Sequence, residues 1–228
     1  MLTIDNVCKA YASKQVLYNT SMTLDSGIRV LLGINGCGKS TLLKIITGVL
    51  EADSGSVTIG GENLLTLLPE KRRIGYVPQH TALFQNMTVY QNIIYGLRSK
   101  EAVEALKSHV DALIQMLELE EFLYKRPTQL SGGYKSRVSL ARALAPKPCL
   151  MLLDEPLSDV DVVMKERLLP EFKKVIHAMQ IPAIYVTHDP GEAEQVGDSF
   201  AAMIAGQIYQ MASAQEAFAF IREEELKK

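Results

Sequence analysis

Short apolar runs alternate with amphipathic stretches along this chain. Residues 2–9, residues 16–24 and Val57-Thr58-Ile59 are apolar runs spaced by polar positions, and they predict strands of a small antiparallel layer. Ile28–Leu32, Ile74–Val77, Leu150–Leu153 and Ala183–Thr187 are denser runs bounded by turn or polar residues. Strands covered on both faces have that pattern, so these predict a buried, largely parallel sheet. Between 101 and 118, Val103, Leu106, Val110, Leu113, Ile114 and Leu117 fall on one face of a helix. Pro127 ends the stretch that follows, and residues 134–145 predict another helix, closed by Pro146 and Pro148. Pro170 falls inside a helical pattern and predicts a short helix followed by a second that starts at the proline. The alternation predicts an α/β fold. It is organised as one domain over 1–228, with a core at about 1–79 and 146–228 and an inserted helical lobe at about 80–145.

Composition narrows this picture by exclusion. Apolar residues are 47% and charged residues 22% of 228, enough to bury a full core and unlike a disordered chain. The three cysteines, Cys8, Cys37 and Cys149, are too few for a disulfide scaffold, and reduced thiols in a cytosolic protein are expected. A net charge of −2 gives no electrostatic footprint for nucleic acid. No run approaches the ~18 consecutive apolar residues of a membrane helix. Met1-Leu2-Thr3-Ile4-Asp5 has no basic and apolar regions of a signal peptide.

The chemistry is concentrated after the Ile28–Leu32 run. Gly33-Ile34-Asn35-Gly36-Cys37-Gly38-Lys39-Ser40-Thr41 fits G-x-x-x-x-G-K-[ST] without a gap, with a predicted strand before it and a helical run after it. Glycines let the backbone approach phosphates closely, and successive N–H groups point at phosphate oxygens at the positive end of a helix. Lys39 adds a full charge toward the β- and γ-phosphates, and the Ser40 hydroxyl is a ligand for Mg²⁺. Cys37 has two readings: a thiolate facing the phosphates, favoured by the helix N-terminus and Lys39, or a small apolar spacer.

A second motif completes the nucleotide chemistry. The apolar strand before Asp154-Glu155-Pro156 has the form of a Walker B strand. Asp154 is placed to hold Mg²⁺ through water, and Glu155 one residue further out to polarise an attacking water as general base.

Leu130-Ser131-Gly132-Gly133, after the lobe and before a helix with Arg137 and Ala141-Arg142-Ala143-Leu144, resembles the signature of ATP-binding cassette (ABC) ATPases. Other marks of that family appear in order. Tyr11 is similar to the aromatic that stacks on adenine, and Gln79 in Val77-Pro78-Gln79 to the Q-loop glutamine. Leu157-Ser158-Asp159-Val160-Asp161 resembles the D-loop, and His188 in Val186-Thr187-His188-Asp189 the switch histidine. The resemblance spans essentially the whole chain. It implies a P-loop NTPase (RecA-like) core with a small antiparallel β layer and an inserted helical lobe.

The resemblance also assigns roles. Lys39, Glu155 and His188 are the expected catalytic set. Tyr11, Gly33, Asn35, Gly36, Cys37, Gly38, Lys39, Ser40, Thr41, Gln79 and His188 are expected on ATP, with Ser40, Gln79 and Asp154 on Mg²⁺. Ser131, Gly132 and Gly133 are expected to face the γ-phosphate held by a second copy, so that ATP glues two copies together. The sequence departs from the family at Tyr134, where glutamine is usual, at Lys135-Ser136, and at Asp159-Val160 in the D-loop, where a carboxylate is brought to the dimer face.

Leu157-Ser158 after the acids resembles the importer branch rather than exporters, which commonly carry Pro-Thr there. Residues 82–98 are similar to importers for polyamines, sulfate, molybdate and some sugars, in a region that receives a helix of the membrane subunit. Arg167-Leu168-Leu169-Pro170 and Ile181-Pro182-Ala183-Ile184-Tyr185-Val186-Thr187-His188 most resemble molybdate-importer ATPases. The implied role is an ATPase that powers an importer, for an oxyanion such as molybdate, with transmembrane permease subunits and, indirectly, a substrate-binding protein as partners. Its expected place is the cytoplasmic face of the membrane, with no nucleic-acid partner. The chain ends at Lys228, so no C-terminal ligand-binding domain is expected. A polyamine or sugar importer, and a cytosolic ABC ATPase not coupled to transport, are the alternatives. A non-hydrolysing module is disfavoured by intact Lys39, Glu155 and His188.

Overall fold

A computed structural model describes residues 1–227. The strands in chain order are β1 (Leu2–Tyr11), β2 (Lys14–Leu24), β3 (Ile28–Leu32), β4 (Ser54–Ile59), β5 (Glu62–Asn63), β6 (Ile74–Val77), β7 (Leu150–Asp154), β8 (Ala183–Thr187), β9 (Ser199–Ile204) and β10 (Gln207–Met211). The helices are α1 (Lys39–Thr47), α2 (Val89–Ile94), α3 (Lys100–Ala105), α4 (Lys107–Met116), α5 (Gly132–Leu144), α6 (Val162–Met179), α7 (Pro190–Val196) and α8 (Ala214–Leu226). A four-stranded antiparallel sheet runs β2-β1-β4-β5, and a six-stranded sheet runs β10-β9-β3-β8-β7-β6. In the larger sheet β6, β7, β8, β3 and β9 are parallel and β10 is antiparallel at the edge. Helices α2 to α5 all fall between β6 and β7.

The dense apolar runs bury both faces of the larger sheet, with the two-residue alternation of a strand. Leu31, Leu150, Leu152, Ile184 and Val186 enter one apolar cluster with α1 and the antiparallel sheet. Val30, Leu32, Met151, Leu153, Ala183 and Tyr185 enter the other, beneath α5, α6 and α7. This parity decides where polar side chains at the strand ends point. Asp154 continues the Leu150–Leu152 face toward α1. Thr187 continues the Ala183–Tyr185 face toward α7.

Two helical expectations are corrected. α6 runs unbroken through Pro170, whose side is exposed. Leu168, Leu169 and Phe172 on its inner face are buried. Burying each contributes about 1.5–3 kcal/mol, which together exceeds the ~3 kcal/mol cost of one interior proline. The stretch expected as one helix over 101–118 is split into α3 and α4 at Leu106, which takes φ −106 and ψ 10. No residue of α3 is buried, whereas Val110, Leu113 and Ile114 of α4 are. Packing therefore fixes α4, and nothing holds α3 on the same axis.

Candidate functional site

β8 lies between β3 and β7, so three loops meet at the carboxyl edge of the sheet. Leu32 is level with Thr187, and Asp154 with Val186. The next residues of each chain segment are the phosphate loop, His188 and Glu155. Ligands of open parallel sheets bind at such an edge. A cleft of about 230 Å³ opens there, lined by Val16, Asn35, Gly36, Gly38, Lys39, Ser40, Thr41, Gln79 and Glu155.

The loop from Gly33 to Gly38 is held by its own lysine. Lys39, 5% exposed, donates from Nζ to Gly33 O at 2.6 Å and to Ile34 O at 2.9 Å. Gly38 precedes α1 at φ 117, a conformation that a residue with Cβ rarely adopts, and no side chain caps the helix. The first N–H groups of α1 therefore need a partner from outside the helix, which makes an anion site. Lys39 Nζ also lies 4.0 Å from Cys37 Sγ. The Cys37 thiol is turned under the loop, 6% exposed, where a Cβ on Gly33 would meet Sγ at 2.6 Å. Burial favours the spacer reading, while the nearby Lys39 ammonium is the feature on which the thiolate reading rests.

The acidic side is set by β7. Asp154, 6% exposed, accepts from Ser40 Oγ at 3.3 Å and from Tyr76 OH at 3.3 Å. Burial raises the Asp154 carboxyl above the usual aspartate value, against the two hydroxyls that favour its charge. Tyr76 faces Asp154 because β6 is level with β7 and shares its parity. Burial first, and Asp154 second, hold the Tyr76 hydroxyl protonated. Glu155 leaves the strand at φ 47. Its Oε1 lies 3.2 Å from His188 Nδ1, and its Oε2 accepts from Gln79 Nε2 at 3.3 Å. Gln79 thus lies on Glu155 rather than on the Ser40–Asp154 pair where Mg²⁺ ligands were expected.

Among the described residues no cluster of three or more His, Cys, Asp or Glu could hold a metal. The Ser40 hydroxyl and Asp154 carboxylate nonetheless fit Mg²⁺, which takes few protein oxygens and completes its shell with water and phosphate.

Other expected residues lie outside this cleft. Tyr11 ends β1 with its ring 47% exposed, and Val16 is the antiparallel-sheet residue that lines the cleft. Ser131 is exposed at the start of α5 and makes no side-chain cap bond. Gly132 and Gly133 pass so close to the next segment that a Cβ would stand 3.1 Å from Asp159 O and 3.0 Å from Met164 Cγ. The departures from the family pattern have partners within the chain. Tyr134 packs its ring 4.0 Å from that of Phe122 and faces Arg137 at 5.2 Å. Asp159 pairs with His80 at 3.1 Å, and Ser158 Oγ donates to Gln79 O at 3.1 Å. Tyr76, Glu192 and His80 were not anticipated. A tyrosine in a buried strand two residues before a Pro-Gln turn was the available signal for the first.

Comparison with known proteins places the chain. A family model described as ABC transporter matches residues 17–158. The chain is 41% identical over 219 residues to the spermidine/putrescine import ATP-binding protein of Thermotoga maritima, covering 95% of this chain and 60% of that one. It is 40% identical to the sulfate/thiosulfate import ATP-binding protein of Methylococcus capsulatus, covering 95% and 64%. It is 41% identical to the molybdate/tungstate import ATP-binding protein of Methanocaldococcus jannaschii, covering 91% and 69%. The chain thus spans less than two thirds of the length of the first two relatives. An ATP-binding cassette solved as a dimer in a post-hydrolysis state with ADP and Pi superposes with a TM-score of 0.79 at 28% identity, covering 94% and 99%. Another, from an ABC transporter in its ADP conformation, shares the fold with a TM-score of 0.84 at 22% identity, covering 100% and 96%. With the phosphate loop, the Asp154-Glu155 strand end and the Ser131 turn all inside the matched span, the chain belongs to the ABC transporter family of ATP-binding proteins.

Proposed function

We propose that the chain is the ATP-hydrolysing subunit of a membrane importer. The observation that carries this reading is the cleft in which Lys39 and Ser40 face Asp154 and Glu155 across the edge of one sheet. Lys39 Nζ exchanges its two loop carbonyls for the β- and γ-phosphates, at little cost in position because it already points into the cradle. The open N–H groups at the start of α1 bind phosphate oxygens. Ser40 and, through water, Asp154 would hold Mg²⁺, which would supply charge neutralisation at those phosphates. Glu155 accepts a proton from the attacking water, and His188 orients its carboxylate. Ser131 lies on a different segment from Lys39 and serves the γ-phosphate of a second copy, so the working unit is a pair.

The importer works at the cytoplasmic face of a membrane, with permease subunits that present a helix to the lobe between β6 and β7 and a substrate-binding protein beyond them. No helix among the described residues is long and apolar enough to cross a membrane. The cargo we propose is an oxyanion such as molybdate. Relatives named for sulfate/thiosulfate and for molybdate/tungstate support it, beside one named for spermidine/putrescine. Reconstitution with a cognate permease in proteoliposomes tests the reading. ATP-driven uptake of molybdate or sulfate is expected. Uptake of spermidine alone replaces the oxyanion with a polyamine, and absence of Mg-ATP hydrolysis overturns the reading.

A further inference from the structure

We propose that Glu192 is a positioning residue that fixes the turn carrying His188 and joins it to the helix that follows Asp161. The inference rests on the hydrolytic reading above and adds a residue to it. Glu192 lies in the first turn of α7 and is only 7% exposed. A buried carboxylate is costly unless donors surround it, and an apolar residue would fill the space at lower electrostatic cost. What the carboxylate adds is direction, because it accepts from two sides.

On one side it holds the turn. Thr187 Oγ1 donates to Glu192 Oε2 at 3.0 Å, and Tyr185 OH reaches the same oxygen at 3.4 Å. Thr187 Oγ1 in turn accepts from Asp189 N at 3.1 Å. Asp189 Oδ1 accepts from Gly191 N at 2.7 Å and Glu192 N at 3.3 Å. Both chain neighbours of His188 are thereby fixed, while its own ring stays free to lie 3.2 Å from Glu155. On the other side, Glu192 Oε1 accepts from Lys165 Nζ at 2.7 Å. Lys165 is in the first turn of α6, and its N–H donates to Asp161 O at 2.9 Å. Glu192 therefore ties the start of α6, just after Asp161, to the turn of His188 through one carboxylate.

The test uses the whole chain and Glu192→Gln, which keeps the size and removes the charge. The readouts are kcat, ATP KM, thermal midpoint, and the ring resonances of isotope-labelled histidine. The chain has four histidines, and His188→Ala identifies its signal. The expected result is a kcat lowered roughly 10- to 100-fold, the scale of a small misplacement of a reacting group. KM stays within about twofold of wild type on the same ground, since the phosphate contacts remain. The His188 resonances move, and those of His80, His109 and His177 do not. Unchanged His188 resonances, or kcat and KM shifting together with a lowered thermal midpoint, overturn the proposal. If Glu192→Gln fails to fold, Thr187→Val, which removes the hydroxyl between Glu192 and Asp189 N, carries the same expectations. A wild-type chain without ATPase activity sinks the hydrolytic reading alone, because the histidine spectrum still decides the positioning.

Discussion

Glu155 and His188 meet at 3.2 Å although they leave different strands of the sheet. The other oxygen of Glu155 accepts from Gln79 Nε2 at 3.3 Å, so each carboxylate oxygen has a partner within the chain. Each oxygen keeps a further lone pair, so Glu155 can accept from a water while His188 and Gln79 hold its orientation. Gln79 follows β6 directly, at the start of the segment that carries α2 to α5.

Glu155→Gln removes the proton acceptor and leaves the cradle intact. ATP binding should persist and turnover should fall about 10²–10⁴-fold. The variant should accumulate as an ATP-bound dimer, measured by size exclusion with and without Mg-ATP. Near wild-type hydrolysis would sink the assignment of the base.

Lys39 and Ser131 lie on separate segments, and only Lys39 lines the cleft. In the proposed pair each serves a different half of one composite site. Lys39→Ala and Ser131→Arg chains, each inactive alone, should recover part of the activity when mixed, because one mixed site is intact. ATP-dependent dimerisation that ignores Ser131→Arg contradicts shared sites.

Cys37 is buried beneath the loop, whereas Cys8 and Cys149 are half-exposed. Brief maleimide treatment of the folded chain should modify Cys8 and Cys149 ahead of Cys37. Mg-ATP should leave that order unchanged, as read by peptide mapping. Rapid Cys37 labelling that ATP suppresses would put the thiol on the nucleotide.

Asp198 closes the start of β3. Burial raises its carboxyl, but the Ile28 N–H, His177 and Lys173 together hold it below the usual aspartate value. A carboxyl lowered on folding stabilises the fold above its unfolded pKa, about 3.9. That contribution is lost as pH falls through the lower folded value. Asp198→Asn should therefore destabilise the chain by about 1 kcal/mol at neutral pH, a modest figure because solvent screens the half-exposed pair. The two proteins should converge in urea melts as pH falls through that lowered folded value. A deficit that persists in acid assigns the effect to packing.

Local pattern was enough for β3, β6, β7 and β8 and for the phosphate loop, whereas β9 and β10 at one side of the larger sheet were not read from it. Runs such as Leu150–Leu153 and the Gly-Lys-Ser spacing before α1 need only neighbours in the chain to be read. The face that each strand residue takes follows from alternation as well, so Asp154 and Thr187 were destined for opposite sides once the strand was placed. Strand order was not written locally. That β8 inserts between β3 and β7 is what brings His188 to Glu155 and Ser40 to Asp154. The unbroken α6 was hidden for the same reason, since burial of Leu168, Leu169 and Phe172 outweighs what Pro170 signals to its own turn. His80 opposite Asp159, Phe122 against Tyr134 and Lys165 on Glu192 come from other segments, and a carboxylate or ring reveals its task only when tertiary packing supplies the donor or surface opposite it.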